Sequence, residues 1–205
     1  EVRADGRAAA ERANELGRPI HSIGVDSWGL DYGLLDAAGN LVEDPICYRD
    51  LRTIPAMEQV FTVLPRKEIY ARTGIQFLNI NTLIQLYAHQ QEGLAANAEK
   101  LLLMPDLINF LLTGKAVTEY TNATTMQLVN AESRTWDETL IAHFNFPRPL
   151  FTEIISAGTE VGPLRPELAS ELGLADVKVV APATHDTGSA VAGTPLQPDW
   201  AYISS

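Results

Sequence analysis

Val177-Lys178-Val179-Val180-Ala181-Pro182, followed at once by Ala183-Thr184-His185-Asp186-Thr187-Gly188-Ser189, is the stretch that decides the fold. Its first half is β-branched and almost wholly apolar, the pattern of a buried central strand. Its second half turns polar within three residues and gives way to an alanine-rich apolar segment. A second stretch repeats the pattern upstream. His21 to Val25 reads as a strand and ends in Asp26-Ser27-Trp28-Gly29. Ligands in α/β folds sit at the carboxyl ends of strands. If the two strands share a sheet, these polar ends converge on one cleft.

Between them the pattern is mostly helical. Val2 to Leu16 reads as an alanine-rich helix stopped by Gly17 and Pro19. Asp31–Asp36 and Leu41–Tyr48 are apolar segments joined by Ala37-Ala38-Gly39-Asn40, which predicts a β-hairpin. From Pro55 to about Phe144 helices dominate. Asn81-Thr82 is read as the cap of one carrying Leu83, Leu86 and Tyr87. Leu101–Leu112 reads as an apolar helix with Pro105 near its start and Gly114 as its stop. Ser133 is read as capping a helix through Trp136, Leu140 and His143. Pro147 and Pro149 mark a loop, and Glu167–Leu172 a short helix ended by Gly173. Ala201–Ser205 reads as the opening of a further strand. The whole is an α/β arrangement in a single domain.

Composition bounds the function. The chain has 205 residues, enough for one domain with a full core, and a formal net charge of -11. Its basic residues form no patch beyond the pairs Arg49/Arg52 and Arg66/Lys67, which argues against a nucleic-acid partner. With Cys47 the one cysteine, an internal disulfide is impossible and a cysteine-based zinc site is excluded; in Pro45-Ile46-Cys47-Tyr48 it reads as a small buried residue. No apolar stretch is long enough to span a bilayer, and charged, alanine-rich Glu1–Leu16 does not read as a signal peptide. His21, His89 and His143 are scattered and suggest no metal site.

At the strand ends each residue has two readings. Asp186 is either a base that accepts a proton from a substrate hydroxyl or the N-cap of the next helix. Trp28 either stacks on a sugar face or fills the core, and Gly29 either admits a ligand to the backbone or makes a turn. His185 either bonds a sugar hydroxyl or is a satisfied internal histidine. Arg49 and Arg52 either grip an anion or pair with Asp50 and Glu43 at the surface. Asp186-Thr187-Gly188-Ser189 also has the form of an aspartic-protease motif, but such enzymes need two aspartates in a mostly β fold.

Five stretches in order carry a resemblance along nearly the whole chain: SIGVDSWGLDYGLLDAAGNLVEDPICYRDLRT from Ser22 to Thr53, IYARTGIQFLNINTLIQL from Ile69 to Leu86, LLMPDLINFLLTGK from Leu102 to Lys115, EYTNATTMQLVN from Glu119 to Asn130, and ATHDTGSAVAGTP from Ala183 to Pro195. Together they resemble the FGGY carbohydrate kinases. Val-Asp-Ser-Trp-Gly followed by Tyr-Arg-Asp-Leu-Arg-Thr points to the rhamnulokinase branch over the glycerol and xylulose kinases. The resemblance implies an actin-like, ribonuclease-H-like fold, here the central and C-terminal part of the first kinase domain with a large helical insertion. It implies a cytoplasmic enzyme that uses ATP and Mg²⁺ to phosphorylate L-rhamnulose or a related ketose, with neither nucleic acid nor membrane as partner. It further implies that Asp186 is the catalytic base, that Gly29, His185 and Thr187 contact the sugar, and that Trp28 neighbours it. The family's first phosphate loop is expected ahead of Val2, the second after Ser205, and the adenosine-binding domain beyond that. The 205 residues alone are therefore expected to be an inactive part of the kinase. A different FGGY substrate, or a relative that only binds sugar, are the competing expectations.

Overall fold

The computed structural model describes residues 2–203. Helix α1 (Val2–Glu15) leads into strands β1 (Ser22–Ile23) and β2 (Tyr32–Leu35), then α2 (Thr53–Val63), α3 (Arg66–Thr73) and α4 (Thr82–Glu92). β3 (Lys100–Leu103) runs straight into α5 (Met104–Thr113), and β4 (Thr118–Glu119) into α6 (Tyr120–Ala123). A 3₁₀ turn, Thr124–Met126, precedes α7 (Glu138–His143), β5 (Ile154–Ile155), β6 (Glu160–Pro163), α8 (Pro166–Leu172), β7 (Lys178–Val180) and α9 (Asp186–Gly193).

The apolar run at Val177–Pro182 is central, as its composition predicts. β7 lies between β1, parallel to it, and β6, antiparallel. Val177, Val179 and Ala181 are buried against Ala10 of α1 and Leu172 of α8, which pack on this sheet. Each such side chain withdrawn from water contributes about 1.5–3 kcal/mol before the entropy cost of ordering it. A second, larger core gathers Leu34 of β2, Leu101 and Leu103 of β3, and the inner faces of α2 and α4.

Several local expectations give way to tertiary pairing. The turn at Ala37–Asn40 forms, with the Asp36 N–H donating to Asn40 O and Leu35 bridging Leu41. The hairpin stops there. β2 instead pairs antiparallel with β3, Tyr32 opposite Leu103 and Leu35 opposite Lys100. Leu41–Tyr48 contains Pro45, which has no N–H to give a ladder, whereas Lys100–Leu103 is free of proline and carries three successive buried leucines. That pairing takes the first residues of the Leu101–Leu112 run for strand, and the helix begins at Met104. It ends where expected, at Gly114, whose φ of +82° suits glycine and whose N–H bonds Phe110 O.

The helix assigned to a Ser133 cap, α7, is capped instead by Asp137, whose carboxylate accepts the Leu140 N–H at 3.0 Å. Trp136 stays outside it, bridged to Val129. Burial alone would raise the Asp137 carboxyl; hydrogen bonds from Asn130 and the Leu140 N–H, with Arg72, outweigh it and hold it below the ordinary carboxylate range. Asn81 does sit at the cap position of α4, but its side-chain amide donates to Gln76 O and Gln127 Oε1 rather than capping. Cys47 is exposed, because its segment joins no ladder. Arg52 pairs with Glu92 at 3.0 Å, and Glu43 with His89, rather than with each other. Ala201–Ile203 forms no strand, and Ser204 and Ser205 lie outside the described residues.

Candidate active site

β1 and β7 run parallel, Ser22 beside Lys178 and Ile23 beside Val179. Beyond the strands the two polar ends stay zipped together. The Ser27 N–H donates to Thr184 O at 3.0 Å, and the Asp186 N–H donates to Ser27 O at 2.9 Å. Trp28-Gly29 and His185-Asp186 therefore emerge side by side, and all four line a cleft of about 440 Å³. Thr187 does not line it. Its N–H donates to Asp186 Oδ1 at 2.6 Å and its hydroxyl lies 3.4 Å from the same oxygen.

Asp186 is the first residue of α9; the cap position belongs to His185, whose side chain makes no capping bond. The Asp186 side chain is 56% exposed, with His185 Nε2 3.7 Å from its Oδ1. Among the described residues Oδ2 takes no hydrogen bond, so it is the oxygen left for a ligand's hydroxyl. The opening turn of α9 adds the partial positive charge of a helix N-terminus.

The lining mixes polar Gln76, Asn81, Thr124 and Thr125 with apolar or aromatic Trp28, Leu30, Tyr48, Ile75, Leu78 and Ile80. Trp28 is half exposed, and its indole Nε1–H donates to Asp31 Oδ2 at 3.0 Å. Asp31 Oδ1 accepts the Tyr48 N–H at 2.7 Å. One buried carboxylate thus holds two aromatic walls. Burial pushes the Asp31 carboxyl up, and the bonds from Trp28 and Tyr48 pull against that. Arg49 lines nothing here, but braces Tyr48: its Nε donates to the phenol oxygen at 3.0 Å and its guanidinium sits 5.3 Å from the ring centroid.

Leu30 shows that this corner is under constraint. Its φ is +82°, a conformation costing a non-glycine residue about 1–3 kcal/mol. It is held by two donors from α4 on its carbonyl, Thr82 Oγ1 at 2.7 Å and Gln85 Nε2 at 3.1 Å. Such strain clusters at functional sites. None of Asp31, Leu30, Tyr48, Gln76, Leu78 or Thr125 stands out in the sequence as a site residue. Asp31 carried a signal: a lone acid two places after Gly29, inside an otherwise apolar segment.

The chain matches the N-terminal domain of the FGGY family of carbohydrate kinases over residues 7–193. The rhamnulokinase of Oceanobacillus iheyensis is 47% identical to it over 190 residues, 92% of this chain and 40% of that protein. Two solved structures share its fold: a carbohydrate kinase from Novosphingobium aromaticivorans, with a TM-score of 0.74 at 26% identity over 92% of this chain and 41% of its own, and a gluconate kinase from Lactobacillus acidophilus, with 0.75 at 21% identity over 83% and 35%. The chain spans about 40% of the length of the curated relatives it matches. Its α/β framework is the actin-like one of these kinases, and with nearly every residue inside the match the chain belongs to the FGGY family of carbohydrate kinases.

Proposed function

We propose that the protein carrying this chain transfers the terminal phosphoryl group of ATP to the primary hydroxyl of L-rhamnulose, giving L-rhamnulose 1-phosphate and ADP. In this reading the chain is part of one domain of a two-domain kinase and supplies the sugar half of the site. The observation that carries it is Asp186, with an uncommitted carboxylate oxygen, in the same cleft as an apolar wall built on Trp28. L-Rhamnulose is a deoxy sugar. Its methyl group suits Ile75, Leu78 and Ile80, and its hydroxyls suit Gln76, Asn81, Thr125 and His185.

Asp186 Oδ2 accepts the proton of the attacking hydroxyl as its oxygen bonds to the phosphorus, while the backbone N–H of Thr187 holds Oδ1 and so fixes the carboxylate plane. The aromatic wall orients the sugar and excludes water, and positioning of this kind is most of what phosphoryl transfer asks of a protein. Among the described residues no group of three or more His, Cys, Asp and Glu side chains could hold a metal ion.

The test is a sugar panel on the complete purified enzyme, followed by ADP release. L-Rhamnulose is expected to exceed D-xylulose, glycerol and D-gluconate in kcat/KM by about tenfold or more, the usual penalty for leaving an apolar subsite unfilled. A better rate with any of the other three would overturn the substrate assignment.

A further inference from the structure

Glu119 is fully buried and lines no part of the cleft, yet its carboxylate reaches the segment that carries Asp186. Oε1 accepts the Thr121 N–H at 3.0 Å. Oε2 accepts three donors: the Thr121 hydroxyl, the Thr184 N–H at 2.9 Å and the Thr184 hydroxyl at 3.1 Å. The Thr121 hydroxyl oxygen in turn accepts the His185 N–H at 3.4 Å. A cap of α6 would need only the first of these bonds. The bonds to Thr184 cross 65 residues of sequence and end two residues before Asp186.

We propose that Glu119 is a positioning residue for Asp186, a buried anionic clamp that fixes the Thr184–His185 turn and thereby sets where the base stands relative to Trp28 and Gly29. The inference rests on the reading of Asp186 as the base.

The surroundings fit a clamp. Gly188, in the first turn of α9, sits so close that a Cβ there would lie 3.2 Å from the Ala183 Cβ and 3.5 Å from the Thr121 Cβ, so the helix start is seated directly on the Glu119 network. The Ser189 hydroxyl closes the same turn onto Ala183 O at 2.7 Å. Asp106 stands behind Glu119, its Oδ1 accepting the Glu119 N–H at 3.1 Å. Burial pushes the Asp106 carboxyl well above the ordinary range.

Glu119→Gln is a sharp probe, because each oxygen of Glu119 faces a backbone N–H. Whichever way the amide is turned, its NH₂ meets the N–H of Thr121 or of Thr184, two donors with no acceptor between them. In the complete enzyme, with folded sites counted by sugar titration, kcat per site is expected to fall about tenfold to a hundredfold, the effect of misplacing a reacting group by a fraction of an ångström to an ångström. Sugar KM is expected to change less than about threefold, since Trp28 and Tyr48 hang on Asp31 instead. Amide exchange at His185 and Asp186 is expected to quicken in the same variant. Thr184→Ser keeps the hydroxyl donor and is expected to retain several-fold more turnover than Thr184→Val. A residue that only stabilised the fold would lower the number of folded sites and leave kcat per site, and the exchange at His185 and Asp186, unchanged; that result overturns the proposal. If Glu119→Gln fails to fold, equal kcat in Thr184→Ser and Thr184→Val overturns it. If the parent phosphorylates no sugar, the proposed function fails while the exchange comparison still decides the clamp.

Discussion

Gly29 sits in the cleft where there is no room for a side chain. An alanine Cβ there would stand 2.8 Å from Thr125 Oγ1, 3.0 Å from Thr125 Cγ2 and 3.0 Å from Asn122 Oδ1. Carbon to oxygen or carbon contacts this short are repulsive, and neither neighbour can simply turn away. The Thr125 hydroxyl donates to Asn122 O at 2.7 Å, and Asn122 is fully buried. Gly29→Ala therefore forces a backbone shift in a packed wall, at a cost of about 1–3 kcal/mol. The shift moves the floor of the cleft, so sugar KM should rise with it. Two of the three clashing atoms belong to Thr125. Thr125→Ala removes both, and the double variant should recover much of the loss, with a coupling of about 0.5–3 kcal/mol between the sites. Urea unfolding midpoints of the parent, both single variants and the double variant close the cycle. A Gly29→Ala protein with the parent's midpoint and KM, or a double variant whose losses merely add, would refute the steric argument.

Three further outcomes are expected. Asp186→Asn is nearly isosteric but cannot take a proton, so kcat should fall by about 10² or more while sugar binding by calorimetry holds; near-parent turnover would remove Asp186 from the role of base. Asp31→Ala orphans the Tyr48 N–H and frees the Trp28 indole, which should cost about 1–3 kcal/mol and raise sugar KM more than it lowers kcat; an unchanged KM would mean that the two walls stand without it. Asp137 has a folded-state pKa below its unfolded value, so its contribution is present above the ordinary Asp range and is lost as pH falls through the lower folded value. Asp137→Asn keeps the helix cap but not the charge facing Arg72, so the stability gap between parent and variant, read from unfolding curves, should be widest near neutral pH and close on acidification; a gap that persists at the lowest pH would contradict this.

The two polar strand ends were legible because their chemistry is local. A run such as Val177–Pro182 reads as a central strand, and its neighbours 184–187 must then emerge at its carboxyl end; its burial proved one-sided, with Val177, Val179 and Ala181 inside and Lys178 exposed. His21–Val25 followed by Trp28-Gly29 reads the same way, and the parallel pairing of β1 with β7 brings the two ends together. Helix ends were legible where one residue carries the signal, as Gly114 and Gly173 do. The Ser133 cap failed because serine and aspartate advertise equally, and only Asp137 had the Leu140 N–H within reach.

What the sequence determined by itself was the class of fold and the strand ends, since these follow from side-chain type and from periods of two and 3.6 residues. Only the tertiary structure decided which distant segments meet. β2 took Lys100–Leu103 rather than Leu41–Tyr48 as its partner, Ile75–Asn81 and Thr124–Thr125 came to line the cleft, and Glu119 came to rest against Thr184. The physical reason is the same in each case. A hydrogen bond or an apolar contact carries no mark of sequence distance, so among several segments with equal local aptitude the choice falls to the one arrangement that buries the apolar faces and satisfies the polar groups together.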